Sequence, residues 1–491
     1  MPKSFTLTGI VACDSLAPYG LTRAAIAGES FPDAESGQGR FCVIQRRTDM
    51  AGNSGSRRIG RREFLGLAAG GTALGLLAGC QPQAAAPAAS APAPAAAGGK
   101  ILRVGVDGPF TGPIARTGDE FKASTKEAFE AIDYKIGDYT VELVWIDDQS
   151  DVEKGTQAYE QAVVQNNITC GIHNWQSSIA VALMDITAKH KVPHFFGIGG
   201  TGLINEKFNG DRTKYGYWTT KGWPDPTKLT IGYSIAFKNA IDAGIWKPAE
   251  KTVCLNASED DWGRTWLTAV KSQFTADGWK VLDEDYISSG TSDFYPLLNR
   301  YKAHNPAAVV GTHGHPATVA AFIKQYDEVG LKKPLVYDGL GWVGEFYSLT
   351  GKASDYVFDM TPAFNTEKSQ AWAANYEKKY GFMPSFNAGG LAFDITNFFI
   401  KVARFTLDKY GELTRETLYR VAQEELWTGK LTYTAEEGAI TMKEWKYEDD
   451  TIPDPIVGEE YFLFPVVQYH EGVAKTIWPD SQKQVDFQLK P

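Results

Sequence analysis

The residues of this chain that could do chemistry fall into three groups: a glycine-rich loop, scattered histidines, and a pair of serines beside a tryptophan. Gly197-Ile198-Gly199-Gly200-Thr201-Gly202 fits the GxGxxG spacing, in which glycines let a backbone come close to a phosphate. For a dinucleotide, that loop follows the first strand of a βαβ unit and opens a helix, with an acidic ribose ligand about 20 residues on. Here it follows the fourth strand-like run, and no crisp helical pattern begins after Gly202. The dinucleotide reading is therefore set aside. His173, His313 and His315 all fall at strand ends, facing the space where a cleft would be. A metal is conceivable there, but its ligands would come from two separate stretches without supporting spacing. Histidines satisfied within the protein, or bonded to a ligand, fit better. No cysteine pair has CxxC spacing, and no nucleophile with a base and an orienting group can be assembled. The expectation is binding without catalysis, metal or cofactor. Trp175-Gln176-Ser177-Ser178 is suited to binding. Trp175 lies beyond the carboxyl end of a strand-like run, where a cleft would be, and the serines stand where a helix starts. A plain helix cap is an equally natural role for them.

Elements able to position these residues are legible from residue 100 onward. Strand-like runs at 101–106, 140–146, 168–172 and 192–196 alternate with helical patterns at 117–132, 153–166 and 178–190. A second cycle follows 218–222. Its helices are predicted over 228–242, 262–277, 294–304 and 316–329, and its strands over 252–255, 280–286, 307–311 and 334–337. Long helices return at 367–380 and 388–410, and a strand closes the pattern at 461–467. Alternation of this kind implies two α/β lobes, each with its own parallel sheet. On such sheets ligands sit at the carboxyl ends of the strands, facing helix N-termini.

Upstream, Arg61-Arg62-Glu63-Phe64-Leu65 has the form of a twin-arginine export signal, and Leu77-Ala78-Gly79-Cys80 that of a lipobox. The apolar run between them is short for a membrane span and long enough for a signal peptide. Residues 50–79 are read as that signal, with Met50 as the start, and residues 1–49 as a mis-assigned or disordered extension. Cys80 would then be the lipidated first residue of the mature protein. Residues 80–99, nearly all Ala and Pro, form a tether that reaches roughly 60 Å when extended. The expected location is the periplasm or the outer face of the cytoplasmic membrane.

Residues 1–79 carry nine basic and six acidic side chains, leaving 40 basic and 53 acidic ones, a formal charge of −13. That balance argues against nucleic acid as a partner. Cys170 and Cys254 lie in apolar runs and read as two inert buried thiols.

Several stretches, in this order and spacing, carry a family resemblance. Gly108-Pro109-Phe110-Thr111-Gly112-Pro113-Ile114-Ala115 with Gly118-Asp119, Trp145-Ile146-Asp147-Asp148-Gln149-Ser150-Asp151, and Val192-Pro193-His194-Phe195 are the first three. Asp261-Trp262-Gly263, Asp293-Phe294 and Val329-Gly330-Leu331 complete the set. Over about residues 100–469 the chain resembles periplasmic solute-binding proteins of the branched-chain amino acid type. The resemblance implies a type I periplasmic binding protein fold: two Rossmann-like lobes with parallel sheets, joined by three crossovers near Lys221, Met360 and Leu431. Lobe 1 would comprise 100–221 with 361–431, and lobe 2 would comprise 222–360 with 432–480. Residues 445–459 read as an acidic insertion. The resemblance further implies a monomer that captures a small solute and delivers it to an ABC-type permease. A ligand sensor docked on a membrane signalling protein is the alternative, and a periplasmic enzyme is a more distant one.

By the same resemblance, Ser178, with Ser177 one step away, and the Gly200 backbone and Thr201 hydroxyl would hold a ligand carboxylate. Trp262 would close on the ligand from the second lobe, and Phe110 and Trp342, on analogous loops, would line an aromatic cleft with Trp223. Trp175 and His315 join it by their places at strand ends. Where amino-acid-binding members hold the ammonium group with an acidic residue, this chain aligns Gly339, with Asp338 beside it. The expected order of ligands is therefore a small organic acid, aromatic ones included, then a branched-chain amino acid, then amides and urea-like solutes.

Overall fold

The computed structural model describes residues 99–342, 346–361, 364 and 366–491. Arg61, Arg62, Cys80 and the tether up to residue 98 lie outside the described residues. Among the described residues, no helix is long and apolar enough to cross a membrane.

The first sheet is built from β1 (Lys100–Gly108), β2 (Lys135–Ile136), β3 (Tyr139–Asp147), β4 (Cys170–His173) and β5 (His194–Phe195), in the order β2-β3-β1-β4-β5. All pairings are parallel except the short β2–β3 hairpin. The crossovers are α1 (Ala115–Glu130), α2 (Val152–Val164) and α3 (Ser177–His190). Helix α2 shows why such helices begin where they do. The Asp151 side chain accepts from the Lys154 N–H, and Glu153 lies in the positive first turn. After β5 come α4 (Gly202–Gly210), α5 (Arg212–Tyr215), α6 (Pro226–Leu229) and α7 (Ile231–Asp242). The periodicity predicts no helix after Gly202. The structure opens α4 there, with the Thr201 hydroxyl accepting from the Leu203 N–H.

The second sheet takes β6 (Thr252–Ser258), β7 (Lys280–Ile287), β8 (Ala308–Thr312), β9 (Leu335–Asp338) and β10 (Phe358–Met360). These alternate with α8 (Asp261–Ala276), α9 (Tyr295–His304), α10 (Pro316–Glu328) and α11 (Phe346–Thr350). Every residue of β6 and of β8 is buried, as expected for strands covered on both faces. Alternate side chains of one strand enter different cores. Val253, Leu255, Val310 and Val336 join the core under α7 and α8, whereas Cys254, Val309, Leu335 and Tyr337 join the one under α9 and α10.

The chain returns to the first lobe through α12 (Glu367–Tyr380), α13 (Leu391–Tyr410) and α14 (Arg415–Val421). It then forms a small hairpin of β11 (Tyr433–Thr434) and β12 (Glu444–Trp445), and finishes on β13 (Val466–His470) and β14 (Val473–Trp478). The second sheet runs β14-β13-β10-β9-β8-β6-β7, and β13 and β14 are antiparallel, so it is mixed rather than purely parallel.

The third crossover also differs from its expected place near Leu431. Residues 432–454 stay with the first lobe. Asp394 on α13 accepts from the N–H groups of Ile440 and Thr441, Lys401 donates to Thr432, and the Tyr433 ring stacks on Phe398. The 445–459 stretch is likewise part of the packed structure. Trp445, Tyr447, Ile452 and Asp454 are buried, and the Tyr447 hydroxyl donates to the Lys221 carbonyl at 2.7 Å. The chain regains the second sheet only at Val466.

Candidate functional site

A cavity of about 300 Å³ lies between the lobes, and its wall follows from the topology. Ile114 comes from the segment after β1, and Ser150 and Val152 from the β3–α2 turn. Trp175 to Ile179 come from the start of α3, and Ile198 and Gly200 from the loop after β5. The second lobe supplies Asp260 and Trp262 after β6, Ser289 after β7, Gly314 and His315 after β8, and Trp342 after β9. Only Trp223 stands apart, on the first crossover. Strand carboxyl ends from both sheets therefore face each other across one space, the placement that open α/β sheets favour for ligands.

The start of α3 forms the polar wall. Its N-cap is Gln176, whose side chain makes no capping bond, so Ser177 and Ser178 occupy the first helical turn. The serine-cap reading does not apply, and the first N–H groups of α3 lack an intrahelical partner. The Ser177 hydroxyl oxygen accepts from the Thr201 N–H at 3.2 Å and keeps its own proton free to donate. Helix dipole and free donors together favour an oxyanion.

Four tryptophans form the apolar wall. Trp342 meets Trp175 at 6.1 Å, Trp223 at 5.5 Å and Trp262 at 5.3 Å between ring centroids, and Trp223 meets Trp262 at 6.0 Å. Trp262 is held by its indole N–H, which donates to the Thr312 hydroxyl at 3.1 Å. The buried indole nitrogens of Trp223 and Trp342 have no protein partner. Gly200 allows this closure. A Cβ there would stand 2.6 Å from Trp223 Cδ1 and 2.7 Å from Trp262 Cζ3.

Phe110, Thr201 and Asp338 are not in the cavity wall. Phe110 is buried and packs edge-to-face on Trp145 at 5.4 Å. The Thr201 hydroxyl bridges the lobes instead, donating to the Asp261 carbonyl at 3.1 Å and lying 2.8 Å from the Thr265 hydroxyl. Asp338 faces α7 and α8, where its Oδ2 accepts from Tyr233 (2.8 Å) and from the Trp266 indole (3.0 Å). Burial, then repulsion from Asp359, drives its carboxyl well above the ordinary range. Asp359 in turn accepts from the N–H groups of Gly339 (3.1 Å) and Gly341 (2.6 Å), tying down the turn that carries Trp342.

Sequence reasoning missed Asp260 and Gln176. Asp260 caps α8, its Oδ1 accepting from the Gly263 N–H at 2.8 Å and the Ser258 hydroxyl at 2.9 Å. A cap signature before Trp262-Gly263 was the available signal. His315 lies near it. Burial holds His315 below its ordinary pKa, and the neighbouring Asp260 offsets part of that. His313 is pushed down to about 4, chiefly by burial. His173 is buried inside the first lobe against the Thr125 and Thr396 hydroxyls. The two cysteines of the described residues, Cys170 and Cys254, are free and buried.

Comparison with known proteins agrees with this architecture. The family model for periplasmic binding proteins matches residues 101–445. A Leu/Ile/Val-binding protein homolog from Brucella suis is 27% identical over 242 residues, which is 49% of this chain. The match spans 58% of that curated relative's length. A solute-binding protein of an ABC transporter from Rhodopseudomonas palustris, solved with 3,4-dihydroxybenzoic acid, superposes with a TM-score of 0.60 at 19% identity. It covers 75% of this chain and 93% of that one. A leucine-binding protein from Thermotoga maritima gives a TM-score of 0.58 at 19% identity, covering 76% and 97%. With its family model matched over most of its length and two α/β lobes closed on a shared cavity, this chain belongs to the periplasmic binding protein family.

Proposed function

We propose that the protein is an extracytoplasmic solute-binding protein, which captures a small organic solute between its lobes and hands it to an ABC-type permease without chemical turnover. The observation that carries this reading is the cavity between the lobes, with helix-start donors on one wall and tryptophans on the others. An apolar enclosure with a few convergent polar groups is the usual small-molecule site. Hinge closure supplies a ligand-dependent shape that a permease can read. Ser177, Ser178 and the Gly200 backbone take the solute's oxygen atoms, and Trp175, Trp223, Trp262 and Trp342 cover its body.

The chain reaches its place of work as a lipoprotein exported through the twin-arginine route and anchored at Cys80. Changing Arg61 and Arg62 to Lys should stop export. Mass spectrometry that found an unmodified N-terminus upstream of Cys80 on membrane-associated protein would overturn the anchor.

The function is tested by screening the full chain for thermal stabilisation by organic acids, amino acids and amides. A true ligand at several hundred times its dissociation constant should stabilise by about 3–4 kcal/mol and be recovered unchanged. Recovery of a converted compound would replace this reading with an enzyme.

A further inference from the structure

The solute class can be narrowed from the wall itself, on the proposed reading that this cavity holds a small solute. We propose that the ligand is a zwitterion. Its oxyanion lies at the start of α3, and its alkylated ammonium group lies among the tryptophans beside Asp260.

Charge is the first argument. Among the described residues, the wall contains no Lys or Arg, and its one acidic side chain is Asp260. Both protein hydrogen bonds to the Asp260 carboxylate fall on Oδ1, and Asp260 lines the cavity. A solute with only a negative charge would be enclosed beside this carboxylate with neutral dipoles as its sole support. A solute that also carries a cation matches both ends. Burial works against a cation on the neighbouring His315, although Asp260 offsets part of that.

Ring geometry is the second. The four indoles are crossed rather than stacked, at interplanar angles of 88°, 85°, 89° and 65°. A flat aromatic acid could meet these rings edge-to-face, but the crossed arrangement offers no parallel pair to sandwich it. Crossed rings make a box, which suits a compact, rounded group, and their π-faces attract a cation.

The position of the oxyanion is the third. The unpartnered Trp223 indole N–H lies against the loop at Gly200, its nitrogen 3.2 Å from where a Cβ would stand. It borders the same end as the free donors of Ser177 and Ser178. That places the negative end of the solute at α3, and charge complementarity gives the positive end to Asp260, the wall's one acidic side chain among the described residues.

The test is calorimetric titration of the full chain with four probes: N,N,N-trimethylglycine, its uncharged-head isostere 3,3-dimethylbutanoate, benzoate and leucine. Trimethylglycine should bind at least about tenfold more tightly than the isostere, because shape is matched and only the cation differs. In Asp260→Asn, which retains a good helix cap, that ratio should fall to within about twofold. Tighter binding of the isostere, benzoate or leucine overturns the inference and leaves solute capture standing. Failure of trimethylglycine to bind also overturns it. Failure of every solute in the wider screen removes the proposed function as well.

Discussion

Lys221 and Asp454 meet as a fully buried ion pair, with Nζ 3.0 Å from Oδ1, between the first crossover and the segment after β12. Lys228 reaches the other carboxylate oxygen at 2.9 Å. The same Lys221 ammonium donates to the Gly200 carbonyl at 3.2 Å and to Asn205 Oδ1 at 2.8 Å. One charge therefore joins the crossover, the late segment and the ligand loop.

Removing the carboxylate should be costly. Asp454→Ala leaves Lys221 buried without its counter-ion, and a loss of about 3–5 kcal/mol is expected by urea denaturation. Burial alone would raise the Asp454 carboxyl, but Lys221 and Lys228 outweigh it and hold it below its ordinary range. Its contribution is therefore present above the unfolded carboxyl value of about 3.9 and lost as pH falls through the folded one. Stability unchanged in the variant at pH 7 would remove the pair from this role.

Asp338 and Asp359 give the opposite slope. Burial first, with mutual repulsion for Asp338, raises both carboxyls. The folded state then binds more protons than the unfolded one, so stability should fall as pH rises above the unfolded range. The limit is about 1.4 kcal/mol per pH unit for each proton. Asp338→Asn keeps a carbonyl to accept from Tyr233 and Trp266 and removes one charge. Its unfolding free energy should vary less between pH 5 and pH 8 (about three units of range) than that of the wild type. Parallel curves would contradict the shared-charge account.

Gly200→Ala should act on closure. The new methyl meets Trp223 and Trp262 at under 3 Å, so an overpacking cost of about 1–3 kcal/mol falls on the closed arrangement. Ligand affinity should drop at least about tenfold while each lobe still folds, which circular dichroism checks.

Thr201→Val removes the hydroxyl that links the lobes through Asp261 and Thr265. The loss of about 0.5–1.5 kcal/mol should appear as a two- to tenfold weaker dissociation constant. An unchanged constant would mean that this bridge is present whether or not a solute is bound.

The repeating strand–helix order was legible because parallel strands covered on both faces leave dense apolar runs, and because caps punctuate the helices. Helix α12 has the limits its pattern suggests: Thr366 and Ser369 form a capping box, and Gly381 takes the left-handed conformation that ends it. The late segment was not legible. Glu448, Asp449 and Asp450 give it an acidic, loop-like composition, whereas Trp445, Tyr447 and the buried run 452–455, which holds two prolines and an aspartate, follow neither helix nor strand periodicity. Strand β14 escaped because Lys475 and Thr476 interrupt its apolar character at a sheet edge. Within the cleft, loop positions after strands could be located from sequence, but side-chain direction could not. Asp338 ends a strand at the right depth, yet it points to the Tyr233 and Trp266 side of the sheet. Asp260 was missed: it caps α8 and also lines the cavity, and only the cap leaves a signature in the sequence.

The tryptophan cluster has an optical consequence. Trp175 belongs to one lobe and Trp342 to the other, and their rings touch edge to face across the cleft. Indole transitions at such short range couple, and the coupling depends steeply on separation and mutual angle. Opening of the lobes parts this pair while leaving Trp262 and Trp342 together on one side. The protein thus carries a built-in chromophore pair that reports its own closure in the near ultraviolet, without a label and without knowledge of the solute.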